Sequence, residues 1–166
     1  MFAPAAEATT VTPVTVTELT RNSEDVVVGT VRRSSSRWDG GFIVTDHEIE
    51  VVTALRGRLP ARAMIVVRVA GGVVGRIAQY VPDAPVLEVS RTYTLFMAGG
   101  ISNVRYLTHL TAAAVPVTLD PTSGRVRATV PETLVMNGAA PASNAAPARA
   151  VIDLDVLARA VRTVAP

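Results

Sequence analysis

Cysteine is absent from the 166-residue chain. That excludes disulfides, Cys-ligated zinc, iron–sulfur clusters and thiol catalysis. Lysine is absent too: all 16 basic residues are arginine, set against 14 acidic ones for a formal net charge of +2. Arginine stays protonated at any reachable pH, which reconciles the small net charge with an isoelectric point near 9.7. So small a charge does not by itself argue for nucleic acid. The Arg, Ala and Val bias is the mark of a GC-rich genome. No apolar run approaches the ~18 residues of a membrane span, so a soluble chain with no membrane span is expected.

The N-terminus lacks a basic n-region and an apolar h-region. Met1-Phe2-Ala3-Pro4-Ala5-Ala6-Glu7-Ala8 looks like the small-residue stretch that follows a signal-peptidase cut, with a start Met added. A secreted or periplasmic location is expected, with residues 1–13 mobile.

What is present is largely β-branched. The hydrophobic share is 49%, ample for one core. A short helix is expected between Thr15 and Asp25, then a strand from Val26 to Val31. Ser34 to Ser36 read as a polar loop, and Asp39-Gly40-Gly41 as a hairpin turn. A long strand from Phe42 to Leu55 sends Ile43, Thr45, His47, Ile49 and Val51 to a core. It turns Val44, Asp46, Glu48 and Glu50 to water. Further strands are expected over Ala63–Val69, Val73–Val81, Tyr93–Met97, Val104–Leu110, Ala114–Leu119 and Arg125–Val130.

Residues 137–150 are an Ala/Pro linker with a coil reach of roughly 20 Å. After it, residues 151–166 read as an amphipathic helix with Leu154, Leu157, Ala158, Val161 and Ala165 on one stripe. Seven or so short strands with Gly/Pro turns predict an all-β chain whose residues 14–136 form a closed or partly closed barrel. Gly29, Gly57 and Gly72 suit bends or bulges in it.

Several blocks, taken in order, resemble a known group. They are Ser23 to Val31, Ile43-Val44-Thr45 leading to Leu55-Arg56-Gly57, Gly71 to Gly75, Val81-Pro82 with Pro85, and Tyr93 to Phe96. They are similar to uncharacterised exported bacterial proteins common in myxobacteria and relatives. In outline these resemble netrin-like domains, whose small barrel is of the oligomer-binding-fold (OB) type and which include the tissue inhibitors of metalloproteinases. The resemblance covers about residues 15–130. It departs at Arg56, where Lys is expected, and at Arg91-Thr92, where Gly-Glu is expected. The metalloproteinase inhibitors depend on an N-terminal Cys and disulfides, so their inhibitory chemistry transfers to no residue here.

Candidate chemistry is sparse. His47 lies between Asp46 and Glu48, but strand alternation splits the three between two faces, which is poor for a metal. His109 is the other histidine. Ser34, Ser35 and Ser36 sit in no Gly-x-Ser-x-Gly elbow. Ala70 to Gly75 lacks the Lys-Ser/Thr of a phosphate loop and reads as a turn or bulge. Arg32, Arg33 and Arg37 with Trp38 form one basic cluster, and Arg56, Arg58 and Arg62 another. If both reach one face, they suit a single-stranded nucleic acid, with Trp38 stacking on a base. The acidic strand face would oppose that or pair with these arginines. Trp38 and Phe42 beside the Gly-Gly turn instead suit a protein-binding anchor. The terminal helix docks on its own barrel or on a second copy or partner.

The sequence therefore predicts an exported, non-catalytic, protein-binding OB-like barrel with a short N-terminal and an amphipathic C-terminal helix. Its partner would be an exported protein, such as a secreted metalloprotease or a member of a cell-surface assembly. No metal or cofactor is expected. The binding residues are Arg37, Trp38, Phe42, Arg56 and Arg58. The alternative is a single-stranded nucleic-acid or other oligomer binder using the Arg/Trp loops. A homo-oligomer through the C-terminal helix is a further possibility.

Overall fold

The computed structural model describes residues 13–136 and 149–164. The expected mobile N-terminal segment, apart from Pro13, and all but the end of the expected linker lie outside them. In chain order the elements are β1 (Val14–Thr15), α1 (Val16–Arg21), β2 (Asp25–Asp39), β3 (Phe42–Arg56) and β4 (Met64–Ala70). There follow β5 (Gly72–Val74), β6 (Ile77–Gln79), β7 (Thr92–Ala98), β8 (Val104–Leu107) and β9 (Ala114–Leu119). The chain ends with β10 (Val126–Val130), β11 (Leu134–Val135), β12 (Ala150–Asp153) and α2 (Leu154–Arg162). The protein is thus mostly strand, with one large sheet and two helices among the described residues.

The short first helix forms where its cap allows. The Thr15 hydroxyl accepts from the Glu18 N–H at 3.1 Å, satisfying one free donor of the first turn. Val16 and Leu19 then fall on one buried side.

The hairpin β2–β3 turns at Gly40 and Gly41, with φ of +56° and +90°. Asp39 pairs with Phe42 across them. Two successive left-handed residues twist the turn as the strands twist, and glycine adopts them without a Cβ clash. The expected turn is therefore there, but the polar loop before it is not. Ser34 to Ser36 continue β2, paired with His47, Asp46 and Thr45. The hydroxyls that suggested solvation instead bond across the ladder: Ser34 with His47 at 2.7 Å and Ser36 with Thr45 at 2.9 Å.

The large sheet runs β12-β10-β9-β7-β2-β3-β4-β8, and β8 also pairs with β7. The run β7-β2-β3-β4-β8 thus returns to its own start. The β4–β8 step is parallel and the other four are antiparallel. One edge of β7 serves two neighbours: Thr92 to Leu95 pair with β9, and Met97 and Ala98 with β8.

Strand β2 is buried on both faces over its first half. Val26 and Val28 join Phe96, Val115 and Leu157 in one core; Val27 and Val31 join Ile49, Val67, Leu95 and Leu87 in a second. That explains the unbroken valine run, since a strand covered on both sides has no reason to alternate. The pairing with β3 slips at three places along β2, one of them between Val28 and Gly29. A Cβ on Gly29 would stand 2.5 Å from Ile49 Cγ2, so glycine is what lets the strands approach at this bulge.

Two expectations about later segments are corrected. Val73–Val81 is not one strand but the small hairpin β5–β6. The C-terminal helix starts at Leu154, not Val151, because Ala150 to Asp153 pair with β10 as an edge strand. Val151 and Ile152 are β-branched and suit that pairing. Leu157, Ala158 and Val161 are buried against this chain's own core. The stripe is thereby covered in cis at these three residues, with Leu154 packed partly against the same core. Ala165 lies outside the described residues.

Candidate functional site

The crossover from β4 to β7 (residues 71–91) folds back over the inner face of β3 and β4. It is tied there by backbone and side chain. Gly71 N–H donates to Ile43 O at 2.8 Å, and Ile43 N–H donates to Gln79 Oε1 at 2.7 Å. The Gln79 amide thus stands in for a missing strand partner. Thr45 donates to Gly71 O at 2.7 Å. Leu87 enters the second core, and Thr111 donates to Asp83 O at 2.7 Å from the other side. Pro82 and Pro85 stiffen the span between these ties.

A cleft of about 210 Å³ remains between crossover and sheet, walled by Thr45, His47, Val69, Tyr80 and Val86 among others. Its rim is apolar and wet: Tyr80 is 85% exposed and Val86 81%. His47 is buried at its base. Burial disfavours the charged imidazole and holds its pKa below the usual 6.5, with Asp46 pulling weakly the other way. His47 is therefore neutral at neutral pH, and its Nδ1 shares a hydrogen bond with Ser34. Of this pair, His47 lines the cleft and Ser34 stands behind it on β2. What the cleft presents is mainly apolar contact, with the His47 imidazole and the polar side chains of Thr45 and Gln79 among its walls.

His109 lines a different cleft of about 120 Å³, with Arg68, Tyr106 and Leu110. Among the described residues no three metal-ligating side chains converge.

The structure separates the sequence-predicted binding residues. Arg37 to Phe42 form one end of the β2–β3 hairpin, and Arg56 and Arg58 the other end of β3. Fourteen residue steps lie between Phe42 and Arg56, a contour of roughly 45 Å at ~3.3 Å per residue. Arg56 and Arg58 are thus set apart from Arg37 and Trp38, whereas Arg62 of the second cluster donates its backbone N–H to Val51 O, next to the Glu50 that pairs with Arg32. Trp38 and Phe42 are divided as well. Trp38 pairs with Ile43 on the inner face, while Phe42 pairs with Asp39 on the outer one. They do not form one anchor, although Trp38 is 48% and Phe42 65% exposed.

The arginines of the first cluster are paired along the outer face. Arg32 contacts Glu50 at 2.7 Å, Arg33 contacts Glu48 at 3.9 Å, and Arg37 contacts Asp46 at 3.4 Å. Arg68 grips Asp46 with two bonds, 2.6 and 2.9 Å long. Those bonds chiefly hold the Asp46 carboxyl below its usual range. At the other end, Arg56 donates to Val164 O at 3.4 Å, just past α2. Arg58 is exposed.

Sequence reasoning missed Tyr80 and Val86. They flank the Pro82–Pro85 turn in a stretch without periodicity, where nothing distinguishes a plugging residue such as Leu87 from an exposed one. It also missed the Ser34–His47 bond, which exists only once the serine run is a strand. Comparison with known protein families finds no match for the chain, and comparison with curated proteins finds none.

Proposed function

We propose that this chain is an exported, non-catalytic protein-binding module built on an OB-type barrel, acting in a secreted or periplasmic setting. The barrel reading is supported by the five-stranded circuit β7-β2-β3-β4-β8, with its single parallel step, which has the strand number of an oligomer-binding barrel. The function reading is carried by one observation: Tyr80 and Val86 stand exposed on the rim of an apolar cleft. Trp38 belongs to the same end, since its cross-strand partner Ile43 bonds Gln79, one residue from Tyr80. Aromatic groups beside a recess are what protein interfaces use as anchors.

The nucleic-acid alternative is less well supported. A backbone-tracking groove needs unpaired cations, and Arg32, Arg33, Arg37 and Arg68 all face carboxylates of the same sheet. The test is affinity capture of exported proteins on the immobilised chain, set beside a Tyr80→Ala/Val86→Ala variant. A captured protein should lose about thirtyfold in affinity with the variant, the scale of a hot-spot truncation. Equal capture by both, or tight oligonucleotide binding that weakens steeply with salt, would overturn the reading.

A further inference from the structure

Strand β2 outlasts its neighbours. Its pairing with β7 ends at Thr30, and Ser90 and Arg91 add backbone bonds only at Val31. From Arg33 to Asp39 the ladder is to β3 alone. The opposite edge of that stretch has no strand on it among the described residues. The crossover does not take this place, because Gly72 sits over the inner-face side chains of Ser36 and Thr45.

The direction of the free backbone groups follows from the ladder. Ile43 turns both N–H and C=O away from β2, toward Gln79 and Gly71. Trp38↔Ile43 is therefore a non-hydrogen-bonded pair, and the unbroken register makes Ser36↔Thr45 and Ser34↔His47 the same. The N–H and C=O of Ser34 and Ser36, and the N–H of Trp38, thus point outward along the open edge. The Trp38 carbonyl already accepts from the Arg37 guanidinium at 3.2 Å.

We propose that this edge, from Arg33 to Trp38, receives an extended strand of another protein that carries acidic side chains opposite Arg33 and Arg37. The proposal deepens the protein-binding reading and rests on it. Strand addition to an exposed edge is a recurring mode of peptide recognition, with the backbone supplying affinity and alternate side chains supplying choice.

Charge selects the occupant. Arg33 and Arg37 lie on the outer face of the edge strand; Glu48 and Asp46, which pair with them, lie one strand further in, and Arg37 also has Asp39 of the edge strand itself at 3.5 Å. Asp46 is chiefly committed to Arg68. An incoming strand sets its own side chains directly beside Arg33 and Arg37, where acids attract and bases repel. A second copy of this chain meets that condition only in part: pairing about Ser36 would set Asp39 against each Arg33 but leave Arg37 opposite Ser35. Antiparallel pairing about Ser35 would set Arg33 against the other copy's Arg37 at both ends.

Trp38 is the sole tryptophan and lies on this edge, so its fluorescence reports occupancy. The probe is a short synthetic peptide of alternating threonine and valine with two glutamates four positions apart. Titration of the intact chain should give a saturable change in Trp38 emission, with the amide signals of Ser34, Ser36 and Trp38 shifting together. Replacing both glutamates by lysine should weaken binding about tenfold or more. N-methylating alternate peptide amides should abolish it. An Arg33→Glu chain, altered only at an exposed side chain, should prefer the lysine peptide. Absence of saturable binding, equal binding of the N-methylated peptide, or masking of these amides by self-association would each overturn the proposal. Should the peptide fail while capture through Tyr80 and Val86 persists, the edge proposal alone falls; should both fail, the protein-binding reading falls with it.

Discussion

The Ser34 hydroxyl oxygen lies 2.7 Å from Nδ1 of His47, joining two strands at the base of the crossover cleft. The bond gives the buried imidazole a polar partner without a charge. Nδ1 is thereby satisfied in the neutral ring, while protonation would place a cation in a poorly hydrated site that Asp46 offsets only weakly.

Stability should accordingly fall as pH is lowered. In the unfolded chain His47 takes up a proton near 6.5; in the folded chain burial delays uptake to lower pH. Between those two values the unfolded state holds more protons, so stability rises with pH across that window and is unaffected by this group above it. Thermal unfolding from about pH 7 to about pH 5 should show this slope, and a His47→Gln chain should show less of it. Identical slopes would remove His47 as the cause.

Asp46→Asn should destabilise the chain by about 2 kcal/mol, below the value for a fully buried pair because Arg68 and Asp46 both keep some exposure. The loss comes from leaving Arg68 without its two-bond partner. Urea unfolding measures it, and adding Arg68→Met should recover much of it. In the parent the stabilisation is present above the ordinary carboxyl value of 3.8 and is lost as pH falls through the lower folded value.

Leu157→Ala should cost about 2–4 kcal/mol, since it opens a cavity where α2 meets the first core. The chain's mass in solution should stay the same. A change of oligomeric state with little loss of stability would mean that the stripe serves a second copy.

Gly29→Ala should cost about 1–3 kcal/mol through overpacking against Ile49. An added Ile49→Leu, which removes the Cγ2 branch, should return part of that. Gly40→Asn should be close to neutral, since nothing lies within 4 Å of a Cβ there and Asn tolerates the left-handed region. Chemical denaturation of the two single variants, compared side by side, decides it.

Parts of this architecture were legible from local pattern. The Asp39-Gly40-Gly41 turn, the alternation of β3 and the bend at Gly29 each follow from a few adjacent residues. So did the pairing of the first arginine cluster, because Asp46, Glu48 and Glu50 alternate on one strand face. The errors fall where a distant partner decided. Ser34 to Ser36 became strand because His47 and Thr45 receive two of their hydroxyls. Val151 to Asp153 became an edge strand because β10 offered a ladder. Trp38 and Phe42 parted because the two-residue turn pairs Phe42 with Asp39, which leaves Trp38, one residue earlier, on the opposite face.

The residue order alone determined the strand-rich character, the hairpin turns and the lack of thiol chemistry, since periodicity, glycine placement and composition act over a few residues at a time. Tertiary structure alone decided that β8 reaches both β4 and β7, that α2 lies on its own sheet, and that Tyr80 and Val86 stand free while Leu87 is buried. Those outcomes depend on which surfaces remain to be covered once the sheet has formed, and that competition is settled between segments far apart in the chain.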